Sequence, residues 1–126
     1  MREIWRKAKS AADEARILLD AGRPDGAVSR AYYAMFDAAR VALALDSAEL
    51  AEAKTHATIL RRFSRHLIVA GKIDVAHGRA LRRAFEMRLL ADYDAPSIPL
   101  GVARTIVDDA VRFLDAVCVL VGDIDE

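Results

Sequence analysis

The chain has 126 residues, 54% hydrophobic and 30% charged, and its nineteen basic residues balance nineteen acidic ones. That length suits a single domain over residues 1–126 that buries roughly two-thirds of its unfolded surface, and the apolar content excludes a disordered chain. The lone cysteine, Cys118, excludes an intrachain disulfide and the paired-cysteine zinc patterns, and no run of eighteen apolar residues offers a membrane span, so a cytoplasmic setting is expected.

Glycine and proline are sparse and punctuate Ala-, Leu- and Arg-rich stretches of high helix propensity, and five helices are predicted. The first covers residues 2–21, with Ile4, Ala8, Ala11, Ala15 and Leu18 on one stripe and Gly22 as its stop. The second covers residues 24–45, with Pro24 and Asp25 in its first turn. Its main stripe is Ala27, Ala31, Ala34, Met35, Ala38, Val41, Ala42 and Leu45. A second line, Ser29, Tyr33, Phe36 and Arg40, runs nearly opposite. Apolar groups on two sides imply a central helix or one that meets a partner chain, which makes Tyr33 and Phe36 candidates for a core or dimer face.

Residues 46–53 are expected to fray or form one short helical turn. Thr55 is placed to cap a third helix that runs to residue 70 and stops at Gly71. A fourth covers residues 74–91. Residues 92–99 must leave helix because Pro96 and Pro99 remove donors and restrict their predecessors. The fifth, residues 100–121, carries the stripe Ala103, Ile106, Ala110, Phe113, Val117 and Leu120, and an acidic tail follows. The fold expected is an all-α, up-and-down helical bundle, with a four-helix core and one peripheral helix.

Charge is unevenly spread. Residues 54–88 hold nine basic residues against Asp74 and Glu86, a balance of +7, and the rest of the chain carries −7. All three histidines, His56, His66 and His77, fall in the basic segment. Within it, Arg79, Arg82, Arg83 and Glu86 follow helical spacing that gathers three guanidinium groups, a set able to grip phosphates or to form a solvated helix face. His56, beside Lys54 at a helix start, could bind an anion or cap the helix. Arg61 and His66 lie five apart, which on a regular helix points them about 140° from each other, and they read as two solvated side chains. The carboxylate pairs Asp108/Asp109 and Asp92/Asp94 read as solvated helix ends. Cys118, in an apolar run, reads as a buried structural thiol. No metal-ligand spacing and no cofactor motif is present.

Residues 29–36, reading Ser-Arg-Ala-Tyr-Tyr-Ala-Met-Phe, followed by Ala38, Ala39 and Ala42, resemble the signature of small stand-alone HEPN (higher eukaryotes and prokaryotes nucleotide-binding) domains. Lys54-Thr55-His56, the turn at Gly71, and Arg88 to Tyr93 resemble the same family in the same order. The resemblance implies a helical bundle that forms a homodimer. It also implies a toxin–antitoxin-like module with a minimal nucleotidyltransferase and, in active members, metal-independent cleavage of RNA by an Arg, four to six residues, then His. In that chemistry the Arg stabilises phosphorane charge and the His assists proton transfer from the ribose 2′-OH. Relatives reading Arg-x4-His-x-Tyr carry a Tyr that accepts AMP. Setting Tyr93 against it puts Ala91 where the His belongs and Glu86 at the Arg, with Arg88 two positions later. The residues implied are therefore Arg88, Asp92 and Tyr93 at a polar cleft, with His56 as the substitute histidine; the candidates for holding nucleotide or RNA are Lys54 and, from their helical spacing, Arg79, Arg82 and Arg83. Three functions follow: a nucleotide- or RNA-binding component of such a module, an endoribonuclease using Arg88 with His56 or His66, or a structural helical subunit.

Overall fold

The computed structural model describes residues 1–93 and 97–122. It contains α1 (Arg2–Asp20), α2 (Pro24–Ala44), a 3-10 turn (Ala48–Ala51), α3 (His56–Phe63) running into a π turn (Ser64–Ile68), α4 (Val75–Ala91) and α5 (Leu100–Val121). No strand occurs among the described residues. The acidic tail, Asp94 and Pro96 lie outside them.

Local chemistry sets the boundaries. Pro24 opens α2 without losing an intrahelical bond, because the first-turn amides have no partner inside the helix. Thr55 Oγ1 accepts the Thr58 amide at 3.2 Å to start α3, and Asp74 Oδ1 accepts the Ala76 amide at 2.8 Å to start α4. Gly71, with φ of +77°, makes the left-handed turn that lets Lys72 and Ile73 amides return to the Leu67 carbonyl. The third helix departs from a uniform α-helix: the Val69 amide bonds five residues back to Ser64, widening the last turn. The Ser47-capped turn at residues 48–51 fills the connection before it.

Cross-helix contacts give the directions. Arg30 and Gly26 of α2 meet Glu14 and Leu18 of α1, so these two run antiparallel. Arg16 pairs with Asp108, and Trp5 shares a groove with Leu114 and Cys118, so α1 and α5 are antiparallel. His77 lies against Phe113 and Arg83 reaches Asp109, so α4 and α5 are antiparallel too. Helices α1, α2, α4 and α5 thus form an up-and-down bundle, and α3 lies alongside α2 in the same direction, with His56 at Tyr32 and Lys72 at Asp46. Helix α2 packs against all four other helices, and its alanines Ala27, Ala31, Ala34, Ala38 and Ala39 are wholly buried. Small side chains let the neighbouring backbones approach closely, which is how one helix serves four partners. At the start of α2, Asp25 accepts the Ile98 amide at 2.8 Å and anchors the chain entering α5.

Two expectations are corrected here. Cys118 is exposed, because it falls off the buried line Ile106, Ala110, Phe113, Val117 and lies on the groove with Trp5. Asp108 and Asp109 are not free helix-end carboxylates: Arg16 of α1 binds one at 2.8 Å, and Arg83 of α4 binds the other at 2.8 Å.

Candidate functional site

Helix α2 presents Tyr32, Tyr33 and Phe36 on consecutive turns toward the start of α3 and the last turns of α4. Tyr32 is 0% exposed and sits among the rings of Tyr33, Phe36, His56 and Phe85, with centroids 5.3 to 5.8 Å away. Its hydroxyl lies 2.9 Å from His56 Nδ1. The His56 ring stacks on Phe36 at 4.2 Å and meets Tyr33 edge-on at 6.0 Å. The Thr55 cap directly before it fixes where that ring enters the cage.

Arg88 closes the cage from α4. Its guanidinium lies 5.0 Å from the Tyr32 ring centroid, 5.7 Å from Tyr33 and 5.8 Å from Phe85, an arrangement in which ring quadrupoles attract the cation. It donates to Tyr33 Oη at 3.4 Å and to Asp92 at 3.2 Å, both through the same terminal nitrogen. Its Nε is buried without a hydrogen-bond partner among the described residues, and its side chain is only 15% exposed. Arg30 also lies near Tyr33, 6.0 Å from the ring; its buried Nε makes no hydrogen bond but ion-pairs with Glu14 at 3.5 Å. Two arginines thus approach one tyrosine, and Arg88 Nε is the one left without an acceptor among the described residues. A buried donor in this condition is unusual and calls for an explanation.

The electrostatics follow the packing. Burial, then the nearby Arg88 charge, hold His56 below the ordinary histidine range, partly opposed by Asp37. Burial pushes the Tyr32 hydroxyl far above its usual range despite the Arg88 charge, so it stays protonated. Burial also raises the Asp37 carboxyl against the pull of Arg40, Lys7 and Arg30.

Of the residues singled out from sequence, Arg88, Asp92, His56, Tyr33 and Phe36 come together. Tyr93 follows directly on Asp92, with its ring 71% exposed. Tyr33 and Phe36 are half-buried members of this cage rather than an open face. Arg79 and Arg82 lie elsewhere, on a cleft of about 190 Å3 between α3 and α4 that is floored by Leu60, Phe63 and Leu81. Neither has a partner among the described residues, nor does exposed Lys54, whereas Arg83 is tied to Asp109. Arg61 is exposed and His66 half-buried on the π turn, and no contact joins His66 to Arg88 among the described residues. No group of three His, Cys, Asp or Glu converges on a metal position among the described residues.

Sequence reasoning missed Tyr32, Arg30, Asp37 and Phe85 as parts of the site. Tyr32 belongs to neither stripe assigned to α2. The available signal was a phenol inside a run of alanines, since a buried hydroxyl needs a partner and the partner marks a polar neighbour.

Comparison with known proteins agrees with this architecture. A family model described as the HEPN domain matches residues 1–121. A UPF0332 protein of Gloeobacter violaceus is 32% identical over 115 residues, 89% of this chain and 88% of its own length. A UPF0332 protein of Thermotoga maritima is 32% identical over 124 residues, 97% of this chain and 92% of its own. A Methanocaldococcus jannaschii protein bearing a provisional toxin designation is 29% identical over 103 residues, 82% of this chain and 75% of its own. No helix of the described residues is long and apolar enough to cross a membrane.

Proposed function

The chain belongs to the HEPN domain family, and from that premise we propose that it is the nucleotide- or RNA-binding, toxin-like component of a module completed by a minimal nucleotidyltransferase. The observation that carries this reading is Arg88. A guanidinium lodged in an aromatic cage, with a buried Nε unpartnered and one terminal nitrogen making both of its long hydrogen bonds, is a cation held in place and short of acceptors. A phosphate oxygen supplies an acceptor, and exposed Tyr93, which follows Arg88's partner Asp92 in the chain, offers a ring for a base or a hydroxyl for nucleotidyl transfer by the partner. The toxin designation of the M. jannaschii relative points the same way. The working form proposed is a homodimer.

Binding of a short fluorescent RNA and of AMP, followed by anisotropy and calorimetry, tests the reading. Arg88→Ala is expected to weaken binding at least tenfold and Tyr93→Phe to weaken it less, with the helical circular dichroism unchanged. Wild-type affinity in both variants would remove the cleft from consideration. Equilibrium sedimentation reports the dimer, and co-purification with a minimal nucleotidyltransferase reports the module.

A second reading, metal-independent endoribonuclease, is favoured by one observation: His56, not His66, shares the cage with Arg88. In that case Arg88 stabilises the charge on phosphorus and His56 assists at the reacting oxygens. Incubation with mixed RNA in EDTA, read for 2′,3′-cyclic phosphate ends, is expected to give fragments that vanish in His56→Ala. Intact RNA with and without the partner sinks this version and leaves the binding version standing.

A further inference from the structure

The hydrogen bond between Tyr32 and His56 has a direction that the surroundings decide. Tyr32 is wholly buried, and His56 Nδ1 is the one partner its hydroxyl has among the described residues. If Nδ1 carried a proton and donated it, the phenolic proton would be left inside the cage with no acceptor, facing rings on all sides. The arrangement that satisfies both groups has the phenol donating to a bare Nδ1. The tautomeric proton of neutral His56 then sits on Nε2. That atom has no protein partner among the described residues and is not one of the buried, unpartnered polar atoms, so it faces solvent.

We propose that Tyr32 is a positioning residue that commits His56 to the Nε2–H tautomer, making the solvent-facing edge of the ring a neutral donor that acts with Arg88 on the oxygens of a phosphate ligand. The proposal rests on the reading of the cleft as a phosphate site. It sharpens that reading in one respect: neutral His56 is set to give a hydrogen bond at Nε2, and it cannot accept one there. In a cleavage reaction it would hydrogen-bond the phosphoryl oxygens, while removal of the 2′-OH proton and protonation of the departing oxygen would fall to other groups.

The groups facing His56 support this assignment. From α2 come Tyr32, Tyr33 and Asp37, and from α4 comes Arg88. The depressed His56 basicity keeps the ring neutral near pH 7, where tautomers have meaning, and the raised Tyr32 value keeps the phenol a donor.

Nitrogen-15 NMR of the histidine ring in the free protein at neutral pH decides the question without any ligand. The expected pattern for His56 is a protonated Nε2 and an unprotonated Nδ1 whose resonance is displaced by an accepted hydrogen bond. The Tyr32 hydroxyl proton should be visible and slow to exchange. In Tyr32→Phe the Nδ1 displacement should disappear while the amide spectrum stays that of the folded protein. A protonated Nδ1 in the wild type, an even mixture of tautomers, or an unchanged Nδ1 in Tyr32→Phe would overturn the proposal. If Tyr32→Phe fails to fold, the wild-type pattern and hydroxyl proton still decide. Titration with inorganic phosphate is the second arm. A shift of the Nε2–H and Arg88 resonances on addition is expected, several-fold weaker in Tyr32→Phe. Absence of any shift together with the expected tautomer would count against the phosphate reading and leave the role of Tyr32 in place.

Discussion

Arg88 and His56 hold each other in check, and the consequence is measurable one side chain at a time. The Arg88 charge is the second cause, after burial, of the depressed basicity of His56. Arg88→Ala is therefore expected to raise the His56 value in an NMR titration. Arg88→Lys should leave it lowered, while losing the planar group that lies over the Tyr32 ring. No movement in Arg88→Ala would mean the two groups do not sense each other. The sign for stability follows from linkage. A histidine whose folded value is depressed binds fewer protons in the folded than in the unfolded chain, so its contribution is complete above the ordinary value of about 6.5 and is lost as pH falls through the folded value. Urea unfolding midpoints of the wild type should drop between pH 7.5 and 5.5 more than those of His56→Gln, and equal drops would contradict the assignment. At this scale the sequence singled out Arg88, Asp92 and His56 through a resemblance, and the structure brings them together. It hid Tyr32, because burial on a helix with two apolar sides assigns no role to a residue between them.

Helices are delimited by local chemistry, and most limits were legible because that chemistry is local. Thr55, Asp74, Pro24 and Gly71 each act within a few residues of themselves, so the start of α3, the start of α4, the start of α2 and the stop after the π turn follow from residue type. The π turn at Ser64–Ile68 was not legible. It inserts a wider turn, which a regular 3.6-residue count from Thr55 onward does not anticipate. Replacing the cap, Thr55→Ala, is expected to cost about 1 kcal/mol of stability by chemical denaturation. The same change should broaden the His56 ring resonances, because that ring enters the cage one residue after the cap. The alanine face of α2 predicts the opposite kind of sensitivity: Ala34→Leu should destabilise by roughly 1–3 kcal/mol through overpacking, although leucine is a strong helix former. A neutral or stabilising result would show that the helices can move apart.

Over the whole molecule the zero net charge resolves into used and unused cations. Lys72, Arg83 and Arg88 pair with Asp46, Asp109 and Asp92, and Arg62 is spent on the carbonyls of Glu49, Leu50 and Glu52. Lys54, Arg61, Arg65, Arg79 and Arg82 are exposed and carry no partner among the described residues. Composition could count these groups but not sort them, since sorting depends on which acidic helix packs beside which basic one. If RNA runs across α3 and α4, Arg79→Ala with Arg82→Ala should weaken it at low salt and flatten the dependence of log K on log salt by about one unit for each phosphate interaction removed. Arg83→Ala should leave that slope nearly alone, and an equal effect would mean Asp109 releases Arg83 to the ligand. The ties that silence Arg83 also act mechanically. Alanine-lined helices have shallow relief and resist axial sliding less than interlocked leucines would. Asp108 and Asp109 act as two pegs on α5, one catching Arg16 of α1 and the other Arg83 of α4. Slipping α4 by one turn, about 5.4 Å along its axis, would unseat Arg83 and carry Arg88 off the Tyr33 hydroxyl in the same stroke. The alignment of the cage is thus guarded from the far side of the bundle, by two carboxylates that touch no part of it.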